Sequence, residues 1–492
     1  MRPTTLRMFC FVVLVIVLVG VVFTTAQAAN VYNLRREART AYEDRDFPSY
    51  VRVLEEMYSL RPQNGEVMYK LAGAYALNNA SQQAFDILLR MVVMGLAHDM
   101  SEDPDFTSLH GFQVYDYVVQ ALNNNFLPFG ASEVAFVVDE KGLLGESVAY
   151  DEKTGNFFIS SVRKGKVIRI DKDGNAEDFI KSGQDGLWGA FGIKTDSERR
   201  HLWVASSAAP QVKDVKKTDI GRAGLFKFNL DSGELINKYI VTPDGDPHLL
   251  GELVIARNGD VYASDSETPM VFKLAHDSDQ IESLFKSDNF VNLQGIALGP
   301  EEKHLFMADY QLGLFVADLD AERIRRLVVP RDVNVGGIDG LYFHGADQLI
   351  AIQNGIRPNR VVRFWVNDAF TEIVGTEPLE SSNTHFDDPT LGTFINGDFY
   401  YVANSQWPLY DADGSVKDPN RLRALVILKT PVTTDAKPVG ERMVPLKSDP
   451  KLMGPAGIPK GLIPEAAPET GDGAKAQAGQ SSGQVSEELP GD

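Results

Sequence analysis

The sequence repeats one short pattern six times between about residue 146 and residue 430. In each repeat, a short apolar strand is followed by a turn and then by two more strands rich in β-branched and aromatic residues. The second strands read FFISS, HLWVASS, DVYASDS, HLFMADY, QLIAIQN and DFYYVANS. Self-similarity at a period of roughly 40–60 residues, with several strands in each unit, is typical of a β-propeller. We therefore predict a mainly β fold, a six-bladed β-propeller with a central channel.

One position in each repeat is expected to face that channel. The innermost strand of every propeller blade begins at the same face, so the residues at these starts form a ring. The six positions are Glu146, Phe191, Glu252, Gln294, Asp339 and Thr390. Three carboxylates and one amide in a ring repel one another unless a cation lies between them, and such oxygen ligands suit Ca²⁺, Mg²⁺ or Mn²⁺, and Zn²⁺ less typically. The alternative interpretation is that these side chains are only solvated in a wet channel.

The first 28 residues are typical of a secretory signal peptide. Arg2 and Arg7 form a basic start, an apolar run extends over residues 9–23, and Ala26-Gln27-Ala28 is a typical cleavage site. We therefore expect a periplasmic or secreted protein without a stable membrane span once the signal is removed, with an uncleaved anchor as the alternative. The only cysteine, Cys10, lies in this segment, so the mature chain would lack disulfides and a thiol nucleophile.

The charge of the chain argues against some classes of partner. Lys and Arg number 48 and Asp and Glu number 68, which gives a formal net charge of −20. Nucleic acids and anionic membranes are bound by patches of Lys and Arg, which neutralise phosphate groups. We therefore predict no nucleic-acid partner.

A helical region precedes the repeats. Residues 31–125 have small and aromatic residues at helical spacing, and Ala41-Tyr42 recurs as Ala74-Tyr75, a step of 33 residues. This step resembles that of tetratricopeptide repeats, which are helix–turn–helix units. The functional interpretation is a groove for a protein partner. The structural alternative is a cap or spacer that packs on the propeller.

The remaining boundaries follow from composition. We expect the propeller over residues 131–445 and a closing strand, SEVAFVV at 132–138, that is lent to the last blade. Residues 127–130, with the sequence LPFG, form the predicted linker from the helices. Residues 451–492 are rich in Pro, Gly, Ala and Ser and poor in aromatic residues, so we predict a disordered tail.

Two repeats carry insertions between their second and third strands, at residues 208–222 and 406–423. These loops open on the face where the ring lies, and long loops on a rigid scaffold often carry binding function. We therefore predict a lid over the substrate, with Trp407, Tyr410 and Arg222 as its candidate residues. The alternative is that both insertions are solvated surface loops.

Two histidines lie a few residues before ring positions. They are His248 in GDPHLLGE and His385 in NTHFDDPT. A histidine with a pKa near neutrality suits proton transfer or metal ligation, whereas a histidine in a loop is often only exposed. Asp387 and Asp388 are also expected to reach the mouth of the channel.

Three segments resemble the gluconolactonase/regucalcin family and its strictosidine-synthase-like relatives. They are ESVAYDEKTGNFFISS, LQGIALGPEEKHLFMADY and IDGLYFHGADQLIA. The resemblance spans about residues 131–430 and implies a six-bladed propeller with a divalent cation, usually Ca²⁺ or Zn²⁺, on its axis. It implies that Glu146 and Asp339 hold this ion. Gln294 and Glu252 stand where the family has asparagines, and we expect them to complete the set of metal ligands.

The activity that this resemblance implies is the opening of a lactone or a related ester on a small molecule. The cation, with Ca²⁺ expected first and Zn²⁺, Mn²⁺ or Mg²⁺ as alternatives, would polarise the carbonyl. Asp339 would deprotonate water, with His248 or His385 as alternative bases. Two other functions stay open: a non-catalytic protein that recruits a protein or small-molecule partner, and a condensation enzyme with Glu252 as acid and base.

Overall fold

The computed structural model describes residues 31–436. The predicted signal peptide (1–28), the predicted tail (451–492) and the last part of the predicted propeller range (437–445) lie outside the described residues. No helix in the described part of the chain is long and apolar enough to cross a membrane.

Five helices precede the strands, as the sequence predicts for this region. They are α1 (31–43), α2 (Phe47–Leu60), α3 (Gly65–Leu77), α4 (Ser81–Val93) and α5 (Gln113–Asn124). Polar side chains begin two of them: Asp46 accepts the backbone N–H of Ser49 at 3.2 Å, and Asn64 accepts that of Val67 at 2.9 Å. Their apolar faces pack into two clusters of buried residues. The assignment of these helices to tetratricopeptide repeats remains a prediction.

The strands of the described chain form six antiparallel sheets. The first two strands and those of blades 1 to 3 are β1 (Phe129–Gly130), β2 (Glu133–Lys141), β3 (Gly145–Asp151), β4 (Asn156–Ser161), β5 (Lys166–Ile170), β6 (Ala176–Ile180), β7 (Gly189–Asp196), β8 (His201–Ser207), β9 (Ala223–Asn229), β10 (Leu235–Ile240), β11 (Leu250–Ile255), β12 (Val261–Asp265), β13 (Met270–Leu274) and β14 (Glu282–Lys286). The strands of blades 4 to 6 are β15 (Leu293–Leu298), β16 (His304–Asp309), β17 (Gly313–Asp318), β18 (Arg323–Arg326), β19 (Ile338–His344), β20 (Gln348–Gln353), β21 (Arg360–Val366), β22 (Ile373–Ser381), β23 (Gly392–Ile395), β24 (Asp398–Val402) and β25 (Ala424–Pro431).

This architecture confirms the predicted six-bladed propeller. Blades 1 to 4 take four consecutive strands each, from β3 to β18, while β1 extends blade 5 (β19–β22) and β2 completes blade 6 (β23–β25). Inner strands of neighbouring blades contact one another from blade 6 through blade 1 to blade 5. Buried apolar side chains fill the spaces between blades, as Val316 of blade 4 and Phe364 of blade 5 do. The outer strands of blades 1 to 4 do not appear in the repeat pattern because they are largely exposed, as in β18, and carry little apolar alternation.

The closing strand is also confirmed. Strand β2 pairs antiparallel with β25, with Glu133 opposite Lys429 and Val138 opposite Leu425. The predicted linker is not free chain, however. Its last residues form β1, where Gly130 lies opposite Glu380 of β22 and ties the entry of the chain to blade 5.

The helices dock on blades 4 and 5, on the face where the inner strands begin. Ile356, in the loop between β20 and β21, belongs to the apolar cluster of the helices. The backbone N–H of Ala97 donates to the carbonyl of Arg357 at 2.8 Å. The buried guanidinium of Arg360 donates to the carbonyl of Met94, just after α4, at 3.0 Å. These contacts fix the helices beside the central channel.

Candidate functional site

A cavity of about 240 Å³ lies on the propeller axis. All six blades contribute to its wall, and the wall contains five of the six predicted ring residues, Glu146, Phe191, Glu252, Gln294 and Asp339. The other lining residues are Leu249, Gly251, Ser266, Tyr310, Asn354, Asp388, Leu391 and Trp407. The structure therefore brings the predicted ring together around one site.

Irregular strand pairing explains why these side chains reach the cavity. In five blades, the register between the first and second strands shifts across the ring residue, as it does between Gly145 and Val148 in blade 1 and between Ile338 and Leu341 in blade 5. The other three shifts lie at 190–193, 250–253 and 293–296. Such an irregularity takes a residue out of the ladder and re-aims its side chain. The same local feature therefore turns all five ring residues towards the axis.

Blade 6 lacks this irregularity, and the prediction for Thr390 needs correction. The pairing of β23 with β24 is regular and begins only at Gly392. Thr390 is fully buried and donates its hydroxyl to the carbonyl of Glu146 at 2.8 Å, so it does not line the cavity. Asp388 and Leu391 line the cavity from this blade instead.

Glu146 is a buried carboxyl group with two donors. Its Oε2 accepts a hydrogen bond from the indole Nε1 of Trp407 at 2.8 Å and one from the hydroxyl of Ser405 at 3.3 Å. Burial raises the pKa of Glu146 well above its ordinary value, and the charge of Asp339 raises it further. The two donors lower this pKa, so they stabilise the ionised form of a carboxyl group that burial would otherwise keep neutral.

Asp339 is held by a chain of hydrogen bonds. Asn354 donates its Nδ2 to Oδ2 of Asp339 at 2.7 Å and to the carbonyl of Pro389 at 3.1 Å, and the Tyr310 hydroxyl donates to Oδ1 of Asn354 at 3.0 Å. Burial raises the pKa of Asp339, as does the charge of Asp388. Asp339 is therefore oriented by a neutral donor, the side-chain amide of Asn354.

Asp388 lines the cavity with a carboxyl group that has no hydrogen-bond partner among the described residues, unlike that of the adjacent Asp387. Its backbone has a φ of +68°, which is uncommon for a residue other than glycine, and its carboxyl group has no hydrogen bond to any of residues 31–436. Burial raises the pKa of Asp388 to about 7, and the charge of Asp387 adds to the rise. Asp387 itself pairs with Arg423 at 2.7 Å and lies outside the cavity wall.

Glu252 and Gln294 line the cavity, but both side chains already have hydrogen-bond or ion-pair partners in the protein. Glu252 accepts the backbone N–H of Ile296 at 3.1 Å, and its other oxygen lies 3.4 Å from Nζ of Lys194. Burial raises the pKa of Glu252, while Lys194 acts in the opposite direction. Gln294 donates its amide to Oδ1 of Asn292 at 2.9 Å, which leaves its own carbonyl oxygen as an acceptor at the cavity.

The donor set suits a hard cation only in part. None of the residues that line the cavity is Lys, Arg or His, and oxygen ligands such as those of Glu146, Asp339 and Gln294 match divalent cations. Within residues 31–436, however, no group of three or more His, Cys, Asp or Glu side chains is arranged to hold a metal ion. A cation at this site would therefore need amide, water or substrate oxygens to complete its coordination.

Neither predicted histidine lines the cavity. His248 is buried, with Nδ1 at 2.6 Å from Oδ2 of Asp265 and Nε2 at 3.2 Å from Asp244, and the bond to Asp265 raises its pKa. This arrangement clamps the connection between β10 and β11. His385 lies in the loop after β22, where its backbone N–H donates to Asn383 at 2.9 Å. Proximity in sequence to a ring residue did not predict the direction of either side chain.

Of the three predicted lid residues, only Trp407 reaches the cavity. Tyr410 is buried in an apolar cluster beside it, where the guanidinium of Arg163 lies 5.7 Å from the centre of its ring. Arg222 lies over the ring of Trp188 at 5.3 Å and is not in the wall.

The two insertions form one layer beside the mouth of the cavity. Arg163, in blade 1, donates from one nitrogen to the carbonyls of Gln211 and Gly414, both at 2.8 Å. One carbonyl belongs to each insertion, so this side chain joins them. The insertions therefore lie over blade 1 and its neighbours, and the helices lie over blades 4 and 5.

Sequence reasoning missed Ser266, Tyr310 and Asn354. Each is the residue that follows the second strand of its blade, after Asp265, Asp309 and Gln353 respectively. Because second strands end at the face where first strands begin, these residues form a second layer of the same wall. The repeat alignment contains this signal, since the three residues occupy one equivalent position in blades 3, 4 and 5.

Comparisons with known proteins add structural neighbours. No protein-family model matches this chain, and no curated protein does. A gluconolactonase from Xanthomonas campestris is 12% identical, with 60% of this chain and 89% of that chain covered and a TM-score of 0.42. The calcium-binding protein regucalcin from Agrobacterium tumefaciens is 13% identical, with 61% and 96% covered and a TM-score of 0.42. A luciferin-regenerating enzyme is 12% identical, with 63% and 97% covered and a TM-score of 0.44. Identities this low do not extend an activity from those proteins to this chain.

Proposed function

We propose that the axial cavity is an active site that hydrolyses a small uncharged ester, most simply a lactone. One observation carries this proposal: the carboxyl groups of Glu146, Asp339 and Asp388 share one cavity whose wall contains no basic side chain. Carboxyl groups whose pKa values are raised together are typical of acid–base sites.

The composition of the wall supports an uncharged substrate. Carboxylates repel phosphate and carboxylate groups, and Phe191, Leu249 and Leu391 give the cavity apolar surface. A volume of about 240 Å³ suits a single small ring with its substituents. A lactone fits both conditions, because it is neutral and compact.

Asp388 is the general base that we favour, with Asp339 as the alternative. A base must be free to receive a proton, and the Asp388 carboxyl group has no partner among the described residues, whereas Asp339 is held by Asn354. With a pKa of about 7, Asp388 is ionised in a large fraction of molecules at neutral pH. It would take one proton from the attacking water and return it to the leaving alkoxide.

A divalent cation, when bound, would polarise the ester carbonyl. Glu146, Asp339 and the amide oxygen of Gln294 are the residues that would hold it, and Ca²⁺ is the ion that such oxygen ligands suit best. Trp407 and Ser405 orient the Glu146 carboxylate, and Asn354 orients Asp339.

The first test is a panel of lactones and aryl esters, assayed by titration of the released acid. Each is measured with Ca²⁺, Mn²⁺ or Zn²⁺ and after chelation. We expect turnover of at least one lactone and a loss of about 100-fold or more in Asp339→Asn. Absence of turnover across the panel under all four conditions would overturn the proposal.

A second candidate is a protein that binds a small cation or an amine without turnover. The wall combines carboxylates with the aromatic rings of Trp407 and Tyr310, a combination that favours an ammonium group. Binding of a simple alkylammonium ion, detected by calorimetry, together with no hydrolysis in the panel, would favour this candidate.

We also propose that the protein is exported and that its helical region is a cap on the propeller. Export to the periplasm or outside the cell rests on the signal-like residues 1–28, and amino-terminal sequencing of the mature protein tests it. A partner bound through residues 31–125 remains the alternative to a fixed cap. The contacts of Met94 and Ala97 with blade 5 support the cap.

A further inference from the structure

A second cavity, separate from the axial one, lies where the helices meet blade 5. Its volume is about 300 Å³. One wall is formed by the start of α3 and the loop after α4, and the other by the loop between β20 and β21. The site thus exists only because the two parts of the chain are docked, and of its lining only Asn354 has a role in the proposed hydrolysis.

The two walls carry opposite charges. Arg357, on the propeller wall, is exposed and forms no ion pair with any of residues 31–436. Glu66, on the helical wall, lies with a carboxylate oxygen 3.6 Å from Nε2 of His98. His98 and, to a lesser extent, Lys70 lower the pKa of Glu66 to about 2. Its pair with Lys70, at 3.1 Å, is exposed and therefore weak. At neutral pH a cation and an anion thus border the same space.

His98 provides an unsatisfied polar atom in this wall. Its ring stacks on Tyr69 with the ring centres 3.4 Å apart, so its position is fixed. Its Nδ1 is buried and has no hydrogen-bond partner among the described residues. Buried polar atoms without a partner are uncommon in folded proteins, and a ligand in the cavity is one way to satisfy them. Leu96, Met91 and Ile356 add apolar surface.

We propose that this cavity binds a small zwitterion, a molecule with one carboxylate and one ammonium group and the size of an amino acid or a dipeptide. The guanidinium of Arg357 takes the carboxylate, since its planar array of donors matches that group. Glu66 takes the ammonium group, and the apolar surface accommodates the side chain. A ligand with only one of the two charges leaves either Arg357 or Glu66 without an oppositely charged partner, so it should bind more weakly.

The occupant of this cavity has a direct structural connection to the axial site. Asn354 lines both cavities, and its side chain donates to Asp339 at 2.7 Å. Its backbone carbonyl accepts Nδ2 of Asn359, another residue of the second cavity, at 2.7 Å. A ligand in this cavity would therefore lie against the residue that orients Asp339. Any effect on hydrolysis rests on the proposed function, whereas binding itself does not.

The test is calorimetric titration of the full mature protein with free amino acids and unblocked dipeptides. Each probe is compared with its N-acetylated and its C-amidated form. We expect at least one zwitterion to bind with a Kd below about 10 mM and each blocked form to bind at least about tenfold more weakly. Arg357→Ala and Glu66→Gln should each weaken binding by about tenfold or more.

Arg325→Ala is the matched control, because Arg325 is an exposed arginine on the outer strand of blade 4, away from the cavity. It should leave the Kd unchanged, and circular dichroism should show that all three variants are folded. No binding by any probe at about 10 mM would overturn the proposal, as would equal binding of the blocked forms. Because the titration requires no turnover, failure of the hydrolysis assay leaves this result interpretable.

Discussion

The indole nitrogen of Trp407 lies 2.8 Å from Oε2 of Glu146. This hydrogen bond joins the insertion of blade 6 to the first inner strand of the propeller. It also places a neutral donor on a buried carboxyl group whose pKa is raised by burial and by its acidic neighbours. The insertion and the ring are therefore parts of one site.

Trp407→Phe removes this donor and keeps an aromatic ring. We expect the free energy of unfolding to fall by about 1–2 kcal/mol at pH 8, because the buried carboxyl group of Glu146 loses a hydrogen-bond donor. Urea unfolding at pH 8 measures the change. Trp188→Phe, outside the cavity, is the control for loss of an indole, and an equal change in both variants would contradict the role assigned to Trp407.

Asp388 is expected to destabilise the fold as the pH rises. Its pKa is raised to about 7 in the folded protein, so the folded state binds more protons than the unfolded state between about pH 4 and pH 7. Stability is therefore lost as the pH rises through this window. Asp388→Asn should raise the free energy of unfolding by about 1–3 kcal/mol at pH 8 and by much less at pH 4.

Urea titrations of the wild type and Asp388→Asn at both pH values check this sign. Asp387→Asn is the comparison variant, since Asp387 pairs with Arg423 outside the cavity and its charge only adds to the rise that burial causes in the pKa of Asp388. Its gain in stability at pH 8 should therefore be the smaller of the two. A gain in stability that is equal at pH 4 and pH 8 would show that Asp388 is not held in an environment that favours its neutral form.

Asn354→Leu tests the support of Asp339. The hydrogen bond from Asn354 lowers the pKa of Asp339, so its loss should raise that pKa. For hydrolysis that requires ionised carboxylates, the rising limb of kcat/KM against pH should move up by about one pH unit. If the pH profile of kcat/KM is unchanged and the variant is fully active, Asp339 and Asn354 do not take part in hydrolysis.

Arg360→Met tests the attachment of the helices. Arg360 is buried, donates to Met94 in the helical part and to Gln353 in blade 5, and has no acidic partner among the described residues. Its loss leaves both acceptors unsatisfied and should cost about 2–4 kcal/mol. Thermal unfolding followed by circular dichroism measures the cost, with Arg325→Ala as the control. A change below about 0.5 kcal/mol would mean that this residue does not hold the helices.

The fold and most of the ring could be predicted because the same sequence pattern recurs in each blade. Strands that are buried on both faces carry strong apolar patterns, and the positions of Glu146 and Asp339 follow from alignment alone. The outer strands of blades 1 to 4 could not be found in this way, since solvent faces them and their sequences vary. Thr390 was misplaced because the register shift that turns the other ring residues inward is absent from blade 6.

The directions of side chains in loops could not be predicted from the sequence. His248 turns away from the axis because Asp265, brought near it only by the folded blade, offers a 2.6 Å partner. The position of Asn354 in the repeat places it at the cavity, but its four hydrogen bonds do not follow from that position. The direction of His248 and the bonds of Asn354 to Asp339 and Pro389 depend on contacts between segments that no local pattern encodes.

The most direct test of the axial site compares two adjacent residues. Asp387 and Asp388 have the same side chain, but only Asp388 lines the cavity. Steady-state hydrolysis of the best lactone should fall by about 100-fold or more in Asp388→Asn and should change by less than about threefold in Asp387→Asn. Equal rates in the two variants, both near the wild-type rate, would contradict the claim that the carboxylates of this cavity perform the chemistry.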